Sequence, residues 1–427
     1  MRINSFLTKP LNSQIFRNIS VLVGGTAFSQ LISLLALPLL TRIYTPEDFT
    51  ILATYTSILA LITVIACLRF EIAIPIPKKE GDAIHLFILS ILSVVSVTFL
   101  VCLAIIFGNG WINQVTNQRL TEYLWLLPLG VFFSGLYNSL QYWMTRQKAF
   151  SVVAKTRITQ SISGVTTQVG VGSLGITPIG LLLGQLLNSG AGIFGLSRHF
   201  LKNYKKLLLK VNIFELKKTF RMYDRFPKYS TLEALMNSAG VQIPILIIAT
   251  LAIGEEAGFL MLAMRLLSAP IGLIGSAIAQ VYLTDAADRY HKGELKQFTN
   301  KTIITLAKVG FIPLGVLGVI APIVVPFIFG DAWYRTGELV SWMVPWFFFQ
   351  FIVSPVSMAL HITGNQPLAM LLQISGFIIR GCTVFLASFF AKEWVGELYA
   401  VSSAFFYMLY LIVVLYVLNH STYRHPK

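Results

Sequence analysis

"RHFLKNYKKLLLKVNIFELKKTFRMYDRFPKY", residues 198–229, holds ten basic residues against Glu215 and Asp224. It lies near the middle of a 427-residue chain that is 55% hydrophobic and only 12% charged. A soluble domain would have about a quarter of its residues charged. Outward from this segment, in both directions, the chain is a series of apolar runs of about twenty residues, each long enough to cross about 30 Å of hydrocarbon as a helix. Six runs precede it, at 18–41, 49–69, 83–107, 120–143, 150–173 and 177–197. Six follow, at 230–250, 257–283, 302–329, 337–360, 367–390 and 395–418. The pattern predicts an all-α polytopic membrane protein, since barrel strands would be short and alternating. Within the segment, Leu207, Val211 and Phe214 recur at roughly helical spacing. It reads as a topology-setting loop and as a helix on the anionic inner leaflet, at roughly 1 kcal/mol per well-placed Lys or Arg.

The net charge of +15 would suggest nucleic acid in a soluble protein. Here topology explains it, because Lys and Arg collect in loops that stay cytoplasmic. No nucleic-acid partner is expected. Of the 33 Lys and Arg, Arg42, Arg119, Arg335 and Lys392 fall in outer loops and Arg265 and Arg380 within spans, which leaves 27 on the inner side. Both termini are therefore placed in the cytoplasm. The expected organisation is a tail at 1–17, an N-lobe at 18–197, a basic cytoplasmic linker at 198–229, a C-lobe at 230–418 and a tail at 419–427. The polar, basic start "MRINSFLTKPLNSQIFR" precedes an apolar run too long for a cleavable signal, so the first span is expected to direct its own insertion. Cys67, Cys102 and Cys382 lie in apolar runs without CxxC spacing, and neither a disulfide framework nor a metal site is expected.

The two sets of six spans carry traces of a repeat. "ALPLLTRIYTPEDFTILATY" at 36–55 is similar to "QIPILIIATLAIGEEAGFLMLA" at 242–263, and "TRQKAF" at 145–150 stands where "TGNQPL" stands at 363–368. Both long segments have a mid-helix Pro, an acidic pair in a short outer turn, then the next span. Six spans return the chain to its starting side, so the copies share one orientation. Parallel repeats of this kind are a transporter architecture with substrate between the lobes. The acids of "TPEDF" at 45–49 have a local explanation: Thr45 caps, Pro46 suits the first helical position, and Glu47 and Asp48 complement the helix dipole.

"LPLLTRIYTPEDFTILATYTSIL", "LRFEIAIPIPKKEGDA" at 68–83 and "RQKAFSVVAKTRITQSISG" at 146–164 resemble the Wzx-type polysaccharide-biosynthesis flippases of the multidrug/oligosaccharidyl-lipid/polysaccharide (MOP) exporter superfamily. Beyond about residue 200 the resemblance rests on topology and on "AGFLMLAMRLLSAPIGLIGSA". It implies twelve helices in two six-helix lobes around a central cavity, in the bacterial inner membrane. It also implies movement of undecaprenyl-diphosphate-linked oligosaccharide to the outer leaflet by alternating access, with an H⁺ or Na⁺ gradient as the drive. A polysaccharide polymerase and a chain-length regulator are the partners such a role implies, beside the lipid-linked substrate and membrane lipids.

The charges inside the spans point the same way. Arg265 lies about eight residues from the outer end of its span, roughly 12 Å deep. Arg380 sits near the middle of span eleven. A charge at the bilayer centre costs at least about 2.5–3.5 kcal/mol, and acids at that depth are missing, so both arginines are expected to face a hydrated cavity that receives an anion. Arg offers the planar, bidentate donors that match a diphosphate. Lys308, Lys155 and Arg157 lie in the inner halves of their spans and Arg69 at an inner end; these join the candidate anion-binding set, although Lys155, Arg157 and Lys308 could equally snorkel. Glu233, Asp285 and Asp288 are the candidates for ion coupling. A sugar needs polar walls, for which Gln30, Gln168, Gln185, Asn188, Asn237, Gln242, Gln280 and Gln373 are available, though membrane-buried amides also bridge helices.

Two other functions were weighed. An organic-cation antiporter of the same superfamily would favour acids and aromatic faces in its cavity. A membrane polymerase or ligase needs a large outer loop, whereas the outer loops here have about a dozen residues or fewer, and no nucleophile, zinc or phosphate-loop motif is present. The chain reads as a transporter that is not an enzyme, with no cofactor.

Overall fold

The computed structural model describes residues 13–115, 118–209, 211–252 and 254–420. The expected tails at 1–17 and 419–427 lie largely outside these residues. A first bundle contains α1 (Ser13–Ile43), α2 (Pro46–Ala66), α3 (Glu80–Val115), α4 (Leu126–Arg146), α5 (Phe150–Ser173) and α6 (Ile179–Leu208), the last with a turn at Ala191. The linker contributes α7 (Ile213–Met222). A second bundle contains α8 (Thr231–Leu251), α9 (Glu256–His291), α10 (Leu295–Phe329), α11 (Tyr334–Val356), α12 (Gln366–Phe390) and α13 (Val395–His420). Each apolar run of the sequence thus has its helix. Nine of the described helices have the length and hydropathy to cross a membrane. The other three long ones are α4, α5 and α9.

Local chemistry starts α2 as the sequence predicts. Thr45 is extended, its Oγ1 accepts the Asp48 N–H at 3.3 Å, and the Asp48 carboxylate accepts the Thr45 N–H at 2.9 Å. This capping box satisfies two donors that the first turn would otherwise leave unpaired. Pro38 in α1 and Pro244 in α8 leave their helices continuous. The Thr41 hydroxyl donates to the Pro38 carbonyl at 3.1 Å.

The two bundles meet unevenly. Toward the end that carries the turns at 44–45, 252–255 and 330–333 they share one apolar core, with Leu37, Leu40, Phe49 and Leu52 against Ile248, Leu260, Trp333 and Trp346. Toward the linker end each has its own: Phe70, Phe87, Trp143 and Phe200 in the first, Tyr282, Leu295, Leu360 and Phe406 in the second. α2 packs on α8 and α9, and α1 on α9 and α10. At this seam the Gly258 N–H donates to Thr50 Oγ1 at 3.0 Å, and a Cβ at 258 would stand 2.1 Å from the Pro46 carbonyl. Only glycine allows that approach. The Trp333 indole donates to the Thr41 carbonyl at 3.2 Å and sets its ring edge against Phe49 at 4.8 Å. No ion pair between described residues joins the bundles.

The linker is docked on the first bundle. The Asn212 N–H donates to His85 Nε2 at 3.4 Å, and the Phe220 ring lies 5.7 Å from Phe70. Leu207, Val211, Leu216 and Tyr223 pack against that bundle's core. Phe214 does not join them, contrary to the helical spacing read from the sequence. α6 ends at Leu208 and α7 begins at Ile213, so one helical register does not run through Leu207, Val211 and Phe214.

Candidate functional site

Between the bundles lies a cavity of about 370 Å³. α1 contributes Gln30 and Ser33, α5 contributes Ser161 and Gln168, α6 contributes Gln185 and Asn188, and α9 contributes Arg265 and Ser268. Helical spacing places these groups. Ser161, Gly164, Val165 and Gln168 form one stripe of α5, and Gln185 and Asn188 are three apart on α6. α5 and α6 approach through glycines, since a Cβ at Gly164 would lie 3.0 Å from the Gly184 carbonyl. The Ser33 and Ser161 hydroxyls stand 2.8 Å apart and Ser161 donates to the Ser29 carbonyl at 2.7 Å, which ties α1 to α5.

Part of the polar lining is free. Gln30 Oε1 is buried without a partner, and the Gln185 and Asn188 amides make no hydrogen bond to described residues. Arg265 is the one charged side chain of the lining, and none of the ion pairs among described residues includes it. A second cavity of about 390 Å³ adjoins the first through Gln30, Leu34 and Ala269. Apart from Gln30 its wall is apolar, with Leu31 of α1, Leu266 of α9, and Leu317, Val324 and Phe329 of α10.

The other sequence candidates lie elsewhere. Arg380 is the main correction. It is buried within the second bundle, its guanidinium 4.6 Å from the centre of the Phe406 ring, its Nε donating to the Gly376 carbonyl at 2.9 Å. Gly240 makes the room, since a Cβ there would stand 2.6 Å from Arg380 Nη2. An aromatic face and a missing side chain hold this charge in place of the expected cavity. Arg69 lies in a left-handed turn after α2, 3.6 Å from the buried Glu71 and outside the cavity lining. Burial pushes the Glu71 carboxyl above its usual range, against the pull of Arg69. Arg157 points to α4, donating to Gln141 Oε1 at 2.7 Å over the Tyr137 ring. It sits one turn from Ser161 and does not line the cavity. Lys155 and Lys308 are exposed on α5 and α10. Glu233 is exposed in the first turn of α8, Asp285 is half-buried near the end of α9, and the side chain of Asp288 lies outside the described set. Of the eight amides, Gln30, Gln168, Gln185 and Asn188 line the cavity; Asn237, Gln242 and Gln373 do not, and the Gln280 side chain is outside the described set.

Sequence reasoning missed the cluster around Arg335. This guanidinium reaches Glu256 at 2.8 and 3.2 Å, Glu338 at 3.0 Å and Glu397 at 2.7 and 2.8 Å. It pins the first turns of α9, α11 and α13 together beside the seam. The available signal was that Glu256 and Glu397 stand in the first turns of their helices, just after a short turn, and that Arg335 and Glu338 lie three residues apart at the start of another.

A family model described as polysaccharide biosynthesis protein matches residues 39–337. No curated protein matches in sequence. Among solved structures, the fold is similar to the lipid II flippase MurJ in an inward closed conformation, at 16% identity and TM-score 0.67, covering 92% of this chain and 86% of that one. It is similar to an inward-facing multidrug resistance MATE transporter of the MOP superfamily, at 11% identity and TM-score 0.68, covering 92% and 96%. A MOP superfamily transporter from Pyrococcus furiosus, described as having a binding pocket of reverse polarity, matches at 14% identity and TM-score 0.56, covering 94% and 98%.

Proposed function

Because the chain belongs to the polysaccharide biosynthesis protein family, with the helical fold of MOP transporters, we propose that it is a flippase for lipid-linked oligosaccharide. The observation that carries this reading is Arg265: a cation with no carboxylate partner among described residues, in a chamber lined also by the amides of Gln30, Gln168, Gln185 and Asn188. The cation suits the diphosphate of an undecaprenyl-diphosphate carrier, and the amides suit sugar hydroxyls. The adjoining apolar cavity offers a wall to the polyprenyl chain. A site for organic cations would need carboxylates, and the described lining has none. Catalysis forms no part of the reading.

The excess of basic residues supports a cytoplasmic linker end and, with an even number of spans, cytoplasmic termini. The protein is then a multi-pass protein of the bacterial inner membrane that takes substrate from the cytoplasmic side and releases it outward, for O-antigen, capsule or exopolysaccharide assembly. The coupling ion is H⁺ or Na⁺, with Glu233, Asp285 and Asp288 as candidate carriers. A polymerase and a chain-length regulator would follow it in the pathway. A deletion strain tests the proposal: lipid-linked repeat units should accumulate on the inner face and surface glycan should be lost. An intact surface glycan with no accumulated intermediate would overturn it.

A further inference from the structure

The linker's apolar residues divide into two sets. Val211, Leu216, Tyr223 and Phe226 turn into the first bundle's core. Leu209, Ile213 and Phe214 turn away from it and are 82%, 85% and 72% exposed. Three large bare side chains within six residues form an apolar surface that an aqueous linker has no reason to present. The patch also continues another. Phe194 and Leu201 stand bare two turns apart on α6, and Leu209 follows two turns further on the same side. The lipid-facing stripe of α6 thus runs past the end of the helix and onto the linker.

Charge surrounds the patch. Arg198, Lys202, Lys205, Lys206, Lys217, Lys218, Arg221, Arg225 and Lys228 are all exposed. Only two acids answer them: Glu215 is taken by Lys218 at 3.4 Å and Asp224 by Lys228 at 2.5 Å. The other seven basic groups have no carboxylate partner among described residues. Bare apolar residues ringed by unneutralised Lys and Arg match the boundary between acyl chains and anionic headgroups.

We propose that the linker is a lipid-binding surface for the anionic phospholipids of the leaflet it faces, with Leu209, Ile213 and Phe214 inserted at the acyl boundary and the basic residues on the headgroups. His85 and the aromatic contacts of α7 hold this surface to the first bundle, so that bundle is moored to the leaflet and the second moves relative to it. The proposal commits to bulk phospholipid; the diphosphate of a lipid-linked sugar is excluded from the test system.

The full-length protein, with Cys67, Cys102 and Cys382 replaced by alanine, would carry single cysteine spin labels at 209, 213, 214, 217 or 225. Accessibility to oxygen and to an aqueous nickel chelate would be measured in nanodiscs of phosphatidylglycerol mixed with phosphatidylcholine, and in phosphatidylcholine alone. Labels at 209, 213 and 214 should be reached by oxygen and shielded from nickel in the mixed discs, with 217 and 225 the reverse. Shielding should fall at least about twofold in phosphatidylcholine alone, and likewise when Lys217, Lys218 and Arg221 are changed to Gln. Nickel accessibility at 213 and 214 equal to that at 225 in the mixed discs would overturn the proposal. Equal shielding in both lipid compositions would overturn it too, because the charges would then contribute nothing.

Discussion

Arg265 and Arg380 are both arginines placed deep in apolar helices, and the protein deals with them in opposite ways. Arg380 gives its charge to the Phe406 ring and the Gly376 carbonyl inside one bundle, whereas Arg265 lines the cavity beside amides and hydroxyls, with no carboxylate in the described lining. Their substitutions should therefore separate. Replacing a buried charge with an apolar residue of similar volume is often neutral or stabilising by about 1–4 kcal/mol, so Arg380→Met should keep membrane abundance, melting temperature and surface glycan near wild type. Arg265→Ala should also fold, but should lose transport. Arg265→Lys keeps the charge without the fork and should retain part of the activity, and Arg265→Glu should be worst against a diphosphate. Melting temperature and surface glycan measured on each variant decide the matter. A well-folded Arg265→Ala with normal glycan would remove Arg265 from the transport mechanism. Nothing near either arginine in the chain distinguishes them. The residues that do, Gly240 and Phe406 for one and the amides of α1, α5 and α6 for the other, are brought to them only by the fold.

At the scale of helices, the amino-acid pattern was far more telling. Runs of about twenty apolar residues can cross a membrane only as helices, and the capping box of α2 could be read from Thr45, Pro46 and Asp48 alone. Where one helix meets another could not be read, because in lipid all outward faces are apolar alike. Gly258 shows the difficulty: its neighbour is the Pro46 carbonyl, more than two hundred residues away. Gly258→Ala should force α9 off α2 and open the seam. Spin labels at positions 47 and 255 should then show longer and broader distances by double electron–electron resonance. Gly272→Ala, with its nearest atom 3.9 Å away, is the matched control and should leave the distances unchanged. A lesser effect belongs to the cap, where Thr45→Ala should cost about 1 kcal/mol of stability, read as a lower melting temperature.

For the molecule as a whole, the bundles share a core at one end, which is closed, and keep separate cores at the other. If the linker end is cytoplasmic, single cysteines placed in 108–118 or 330–336 of a cysteine-free variant should react with a membrane-impermeant reagent on intact cells. Cysteines at 202 or 217 should react only in inverted vesicles. The opposite pattern would reverse the topology. The closed end has a further consequence. Its cross-bundle contacts are the Thr50 hydroxyl, the Trp333 indole, the Arg119 guanidinium donating to the Gly254 carbonyl at 3.4 Å and packed apolar side chains, and the charges of the Arg335 cluster all lie within one bundle. Salt should therefore have little hold on this closure. Close packing should, because in lipid van der Waals fit holds helices together, and at Gly258 that fit leaves no room even for a methyl group. The shared end is thus a keyed joint, held by fit between surfaces, with no ion pair among the described residues to lock it.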